Sequence, residues 1–313
     1  MLKYILFFII FSKSILSQQA WAPYERQMWL RPIITHSEYN SAYLANSFAR
    51  FDDNIRVTTG SIALEYGITD RLTIDGNFGF GRLGRHRIFN RYLGYQQTPE
   101  VPDKYGFLDS RLGIRYKIFD EFDTNKKWLP TLSIRVGGIK KGDYDRTPQA
   151  LGDGASGGEV GLLLAKDFGF WGMGMLGEWA FRKRERPVPN DILYYGALYK
   201  RVSEFYFLTV GGRGQIGQEG YAFADPRQEP PWNYFRTNTL FEIAQGINLA
   251  DYWITKYRPP WGRKEDFHRV EFGLGYMDSF GNFYNIFYSE VINGYNTANL
   301  KTVGFLVNIP FNL

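Results

Sequence analysis

Three histidines, His36, His86 and His268, are the side chains of this chain best suited to acid–base or metal chemistry near neutral pH. None sits in an H-E-x-x-H or i, i+4 arrangement, so no histidine-built metal site is expected. His36 precedes Ser37, a base beside a hydroxyl. Serine hydrolysis also needs a group to orient the base, and no esterase motif surrounds the pair. The two read as polar residues at a strand end. Asp143, Asp145 and Asp153 gather carboxylates in GDYDRTPQALGDGASGG without the spacing of an EF-hand, as a solvated loop would. GFGRLG at 79–84 matches G-x-G-x-x-G, but no amphipathic helix follows it. It reads as glycine-lined strand entering a loop. Cysteine is absent, which removes disulfides, thiolate metal sites and cysteine nucleophiles. Neither cofactor nor metal is expected, and the chain is not expected to be an enzyme.

The informative polar residues are those that alternate with apolar ones. In LTIDGNFGF, Leu72, Ile74, Phe78 and Phe80 fall on one side, and Thr73, Asp75, Asn77 and Gly79 on the other. In FLDSRLGIRYKIF, Leu108, Leu112, Ile114, Tyr116 and Ile118 oppose Asp109, Arg111, Gly113, Arg115 and Lys117. In TLSIRVGG, Leu132, Ile134 and Val136 oppose Ser133, Arg135 and Gly137. RVEFGLGY and FWGMGMLGEWAF sort the same way. A period of two is the signature of strands with one greasy and one polar face.

Composition narrows what such strands build. Aromatic residues make up 18% of the 313 residues, and there are 34 glycines. Mean hydropathy is −0.33, and no stretch beyond the leader approaches the ~20 apolar residues of a membrane helix. A membrane protein at this hydropathy has to be a barrel, whose alternating strands average out. MLKYILFFIIFSKSILSQQAWA has a basic start at Lys3, an apolar core from Tyr4 to Phe11 and small residues after it, the layout of a secretory signal peptide. We expect residues 1–17 to be that signal, with cleavage as late as 20, and 18–313 to form one domain. The net charge of +5 loses Lys3 and Lys13 with the leader, leaving 5 − 2 = 3. That is too weak for a nucleic-acid partner, and no basic module supports one.

Two patterns favour a barrel over a soluble sandwich. Glycine is concentrated on the polar face, where a lumen accommodates small residues and a solvated sheet only loses stability. Connections alternate in length, short at YGITDR, DFG, RVSE and DSFGN, and long at 82–106, 141–156 and 216–233. That rhythm suits tight periplasmic turns and free extracellular loops. HSEYNSAYLANSFARF, 36–51, reads as a loop holding a short helix. Strands are expected near 28–37, 54–66, 71–82, 107–119, 128–140, 157–166, 170–182, 191–201, 205–215, 234–245, 251–259, 267–277, 282–291 and 299–312. The fold class is therefore all-β, a transmembrane antiparallel β-barrel of about 14 strands. If 251–259, crowded by Pro259 and Pro260, fails together with a neighbour, the count is 12. Phe305, Val307, Ile309, Phe311 and Leu313 alternate to the last residue, as in the closing strand that carries an assembly signal in such barrels.

EYGITDRLTI resembles the turn common in outer-membrane barrels of the phenol meta-pathway channel family, relatives in architecture of long-chain fatty-acid transporters. The matching residues are Tyr66, Gly67, Thr69, Asp70, Arg71 and Leu72, with Ile68 in place of leucine. GEVGLLLAKDFG, 158–169, is similar to a second strand and turn of that group. The resemblance implies an outer-membrane channel for small hydrophobic or aromatic compounds, with the motif marking a periplasmic turn. In this turn Gly67 is suited to a positive φ, and Thr69 and Asp70 to binding local N–H groups.

The chain is accordingly read as an exported channel in the cell outer membrane for passive or facilitated passage of small solutes. Its partners are outer-membrane lipid, the barrel-assembly machinery and those solutes. Asp75, Asn77, Asp109, Arg111, Arg115, Lys117 and Arg135 would line the lumen. They form either a basic patch that favours anions or an Arg–Asp network that stiffens the interior. Two rival readings are a closed barrel whose loops bind a partner and a lipid-modifying enzyme using His36 or His268.

Overall fold

A computed structural model describes residues 21–43, 48–87, 100–122, 128–143, 155–169, 172–185, 188–218, 264–295 and 297–313. Twelve of its strands close a barrel: β1 (Gln27–Tyr43), β2 (Phe48–Gly67), β3 (Leu72–Leu83), β4 (Ser110–Phe119), β5 (Thr131–Lys140), β6 (Gly157–Asp167), β7 (Met173–Arg184), β8 (Asp191–Arg201), β9 (Tyr206–Gly217), β10 (Asp266–Met277), β11 (Phe283–Tyr295) and β12 (Lys301–Asn312). Each pairs antiparallel with its chain neighbours, and β12 returns to pair β1 from Gln27↔Asn312 to Glu38↔Lys301. Closure leaves no free edge, the condition for a sheet to cross a bilayer. Two short strands lie alongside, Lys104–Phe107 on β3 and Thr297–Ala298 on β1.

The wall takes the lower of the two expected strand counts. β9 pairs directly with β10 from Tyr206↔Tyr276 to Ile216↔Asp266, leaving no place between them for 234–245 and 251–259. Those two segments lie outside the described residues, as does the leader. The loop-and-helix expectation for 36–51 is corrected. β1 runs on to Tyr43 and β2 begins at Phe48, extending one long hairpin with a register shift between Tyr39 and Ser41. From His36 to Ser41 the tract is polar apart from Tyr39, so it mimics a loop. Its strand form is set by ladder pairing with β2.

The alternation has the sense of a membrane barrel. On β4, Leu112, Ile114 and Tyr116 are 62, 54 and 50% exposed, while Arg115 and Lys117 are 1 and 3% exposed. Outward apolar residues of this kind cover every side, with Phe78 on β3, Val136 on β5, Leu274 on β10 and Phe305 on β12. Exposed aromatics collect at the turn ends, among them Trp128, Phe168, Tyr206, Tyr276 and Phe280, as an interfacial girdle requires. Tyr206, Tyr276 and Tyr284 pack in a row there, with centroids 5.4 and 6.1 Å apart.

Candidate functional site

The site is the inner face, and its two sides differ. On the β2–β6 side, Arg135 is the hub. Its guanidinium donates to Asp75 from Nε (2.9 Å) and Nη2 (2.6 Å), and to Glu159 from Nη1. Arg115 lies 3.3 Å from Glu65, and Arg31 lies 2.9 Å from the same carboxylate. Arg31 Nε donates to Asn308 Oδ1 at 2.9 Å, carrying the network across the β12–β1 seam. Glycine makes the arrangement fit. A Cβ on Gly113 would sit 2.6 Å from the Arg135 guanidinium, and one on Gly137 would sit 2.9 Å from the Leu112 carbonyl. The glycines alternating with these charges are the floor on which the guanidinium lies.

The predicted lining residues therefore separate. Asp75, Arg115 and Arg135 join in one network, and Arg111 reaches its edge, 3.8 Å from Glu159 and 28% exposed. Asn77 shares their face as cross-strand partner of Arg111. Lys117 leaves the group to bind Asp120 at 2.6 Å and to cap the Tyr24 ring at 4.6 Å. Asp109 sits at the extracellular rim, where it accepts the Gly142 N–H at 3.0 Å and lies 3.8 Å from Arg184. Sequence reasoning missed Arg31, Glu65 and Glu159. Each lies on the inward parity of its strand, so extending the alternation through β1, β2 and β6 would have found them.

A segment before β1 enters the lumen. Trp21 is 4% exposed. Its indole N–H donates to Glu121 at 2.8 Å, its carbonyl accepts from Arg115 at 3.4 Å, and its ring meets Tyr199 edge-on at 6.1 Å. It thus spans the interior from β4 to β8. Glu121, in the β4–β5 connection, is itself held by Lys166 (3.0 Å) and the Asp167 N–H (3.1 Å).

The β7–β12 side is apolar at its periplasmic end. Leu176, Ala197, Tyr199, Phe207, Met277, Phe283 and Leu306 form one buried cluster with Trp21. Phe207 and Phe283 meet edge-on at 5.6 Å. Toward the extracellular end, an inner-face row runs Glu178↔Tyr195↔Arg213↔Arg269 across β7 to β10.

The turn residues depart from expectation at two positions, since Asp70 binds a distant N–H rather than a local one and Gly67 lacks the positive φ. Thr69 Oγ1 accepts the N–H groups of Arg71 (3.3 Å) and Leu72 (3.0 Å), and Asp70 accepts the Glu25 N–H at 3.2 Å. Arg71 is exposed at the periplasmic end, and Tyr66 points outward into the girdle. Gly67 does not have a positive φ. Its need for glycine is a close approach, because a Cβ there would collide with the Tyr24 carbonyl of the segment entering the lumen. In the same corner the Arg26 N–H donates to the Gly67 carbonyl at 2.9 Å, and Arg26 carries the positive φ of 59°. Phe305, Val307, Ile309, Phe311 and Leu313 occupy the outward parity of β12 and its end.

The rival chemistry loses its geometry. His36 is exposed on the outer face, 3.0 Å from Thr58 Oγ1, whereas Ser37 points inward to Thr302 Oγ1 at 2.8 Å. Base and hydroxyl stand on opposite sides of the wall. His268 is engaged on the outside with Tyr194. No group of three His, Cys, Asp or Glu among the described residues could hold a metal. Asp145 and Asp153 lie outside those residues.

No family model matches the sequence, and no curated protein matches it. Among solved structures, an outer-membrane channel from Pseudomonas putida F1 is similar over 95% of this chain and 100% of its own, at 14% identity and a TM-score of 0.61. The NanC porin aligns over 90% of this chain and 100% of its own at 9% identity, with a TM-score of 0.43. The Pseudomonas putida toluene transporter TodX aligns over 93% and 89% at 12% identity, with a TM-score of 0.38. The first of these likenesses shows the fold, and with the outward apolar belt it places this chain among transmembrane β-barrels of the outer-membrane type.

Proposed function

We propose that this barrel is an outer-membrane channel for passive or facilitated passage of small solutes, hydrophobic and aromatic compounds included. One observation carries the reading. The closed wall turns apolar side chains to lipid and keeps charged, polar and aromatic ones inside. Such an interior has value where solutes meet it. The support for aromatic cargo is the resemblance of the Tyr66–Leu72 turn, beside the inner-face rings of Tyr195 and Phe267. Asp75, Asn77, Asp109, Arg111, Arg115, Lys117 and Arg135 line the interior in this reading. Arg111, the most open of the basic ones, meets ions, while Arg115 and Arg135 hold the wall. The outward row Phe305 to Leu313 is read by the assembly machinery, and residues 1–17 direct export.

The Trp21 segment favours a barrel closed at rest as a second reading. Single-channel conductance of the purified protein in a planar bilayer under a salt gradient tests both. Discrete steps are expected, with reversal potential shifting toward cations in Arg111→Ala. A folded barrel that stays silent, with Trp21→Ala equally silent, overturns the channel reading. Phospholipid hydrolysis would then be measured.

A further inference from the structure

The row Tyr195–Arg213–Arg269 on the inner face of β8, β9 and β10 sets two guanidiniums directly opposite each other. Like charges opposed across a ladder are unfavourable unless something is shared between them. Arg213 lies over the Tyr195 ring, 5.4 Å from its centroid, and Arg269 lies 5.8 Å from that of Phe267. Aromatic rings hold both forks in place. Arg269 makes no ion pair among the described residues, and its buried Nε has no hydrogen-bond partner. Three neighbouring buried atoms share that condition: Tyr195 Oη, Glu271 Oε1 and Ser289 Oγ. Glu271 and Ser289 are cross-strand partners in the adjoining row. Buried polar atoms are ordinarily satisfied, and a contiguous set that is not marks a place where something polar binds.

We propose that Arg213 and Arg269, with Tyr195 and Ser289, form a lumenal subsite for the carboxylate of a small organic acid with an aromatic or apolar body. The proposal rests on the channel reading and names one class of its cargo. A guanidinium fork matches a planar carboxylate, and the two hydroxyls supply further donors. The body of the acid would rest beside the Tyr195 and Phe267 rings that flank the two guanidiniums. Glu178 on one flank and Glu271 on the other balance the two arginines. A monoanion therefore binds weakly enough to leave, and a dianion such as phosphate is disfavoured.

Calorimetric titration of sodium benzoate into the full-length, detergent-folded barrel tests this without requiring a current. Saturable binding with a dissociation constant on the order of millimolar is expected. Arg269→Gln should weaken it about tenfold, the scale of one charge-assisted hydrogen bond. Glu271→Gln should strengthen it, a gain that a misfolded variant could not imitate. Benzyl alcohol and inorganic phosphate should both bind more weakly than benzoate. Equal benzoate affinity in wild type and Arg269→Gln, or benzyl alcohol binding as tightly as benzoate, overturns the subsite. A barrel that conducts salt but ignores benzoate fails this proposal alone, whereas one that binds benzoate but never conducts fails the channel reading.

Discussion

The two sides of the lumen obey the same alternation and do different things with it. On the β2–β6 side, Arg135 is enclosed by Asp75 and Glu159 over a floor of Gly113 and Gly137, and only 2% of its surface is exposed. On the β8–β10 side, Arg269 faces Arg213 and has no ion pair among the described residues. An inward charge is thus not in itself a pore charge. Enclosed by fixed carboxylates, as Arg135 is, it is scaffold, and without an ion pair among the described residues, as Arg269 is, it is open to a solute.

The sharpest way to break that comparison is Arg135→Ala. It strands two buried carboxylates and should destabilise the barrel by about 3–5 kcal/mol. Arg269→Gln should cost less, since it breaks no ion pair among the described residues and relieves the opposition to Arg213. Unfolding in urea from detergent reads both, and equal losses would erase the distinction. Next, Leu112→Arg on the lipid face should cost about 2–4 kcal/mol if that face meets the bilayer core. A negligible loss would place Leu112 elsewhere. Trp21→Ala should leave the wall ladder intact, because the segment before β1 opens without breaking strand pairing. It should enlarge single-channel conductance, and unchanged conductance would mean that the segment does not obstruct the path. Arg56→Ala, which breaks the exposed pair with Glu38 at 2.9 Å, should change stability by less than about 1 kcal/mol.

The smallest effect concerns pH. Asp103 in the β3–β4 connection is held below the usual carboxylate range, first by the Arg85 backbone N–H at 2.7 Å and then by the Arg82 guanidinium at 3.1 Å. A carboxyl whose folded pKa lies below its unfolded value stabilises above the unfolded value. That contribution is lost as pH falls through the folded value. Hydrogen-exchange protection of the Arg85 amide should therefore fall below about pH 4. Asp103→Asn should abolish that dependence, and protection insensitive to pH in the parent would show that the link holds nothing.

The sequence by itself determined the barrel, its sidedness and most of the turns, because a two-residue period is a local property of the chain. Leu112 faces lipid and Arg115 faces the lumen in any register that buries polar groups inside a closed wall. The Thr69 bonds of the β2–β3 turn were equally legible, since they lie within a few residues, whereas the Asp70 bond to Glu25 spans 45. The strand count was not settled, because Tyr206↔Tyr276 pairing across 219–263 depends on non-local closure. Nor was the polar hairpin of β1 and β2, whose strand form is a gift of its partner strand. Which inward charges pair was decided only in three dimensions. Arg135 is 60 residues from Asp75 and 24 from Glu159, and Trp21 is 100 residues from Glu121. Periodicity says which way a side chain points. Only the shear and closure of the barrel say what it meets there.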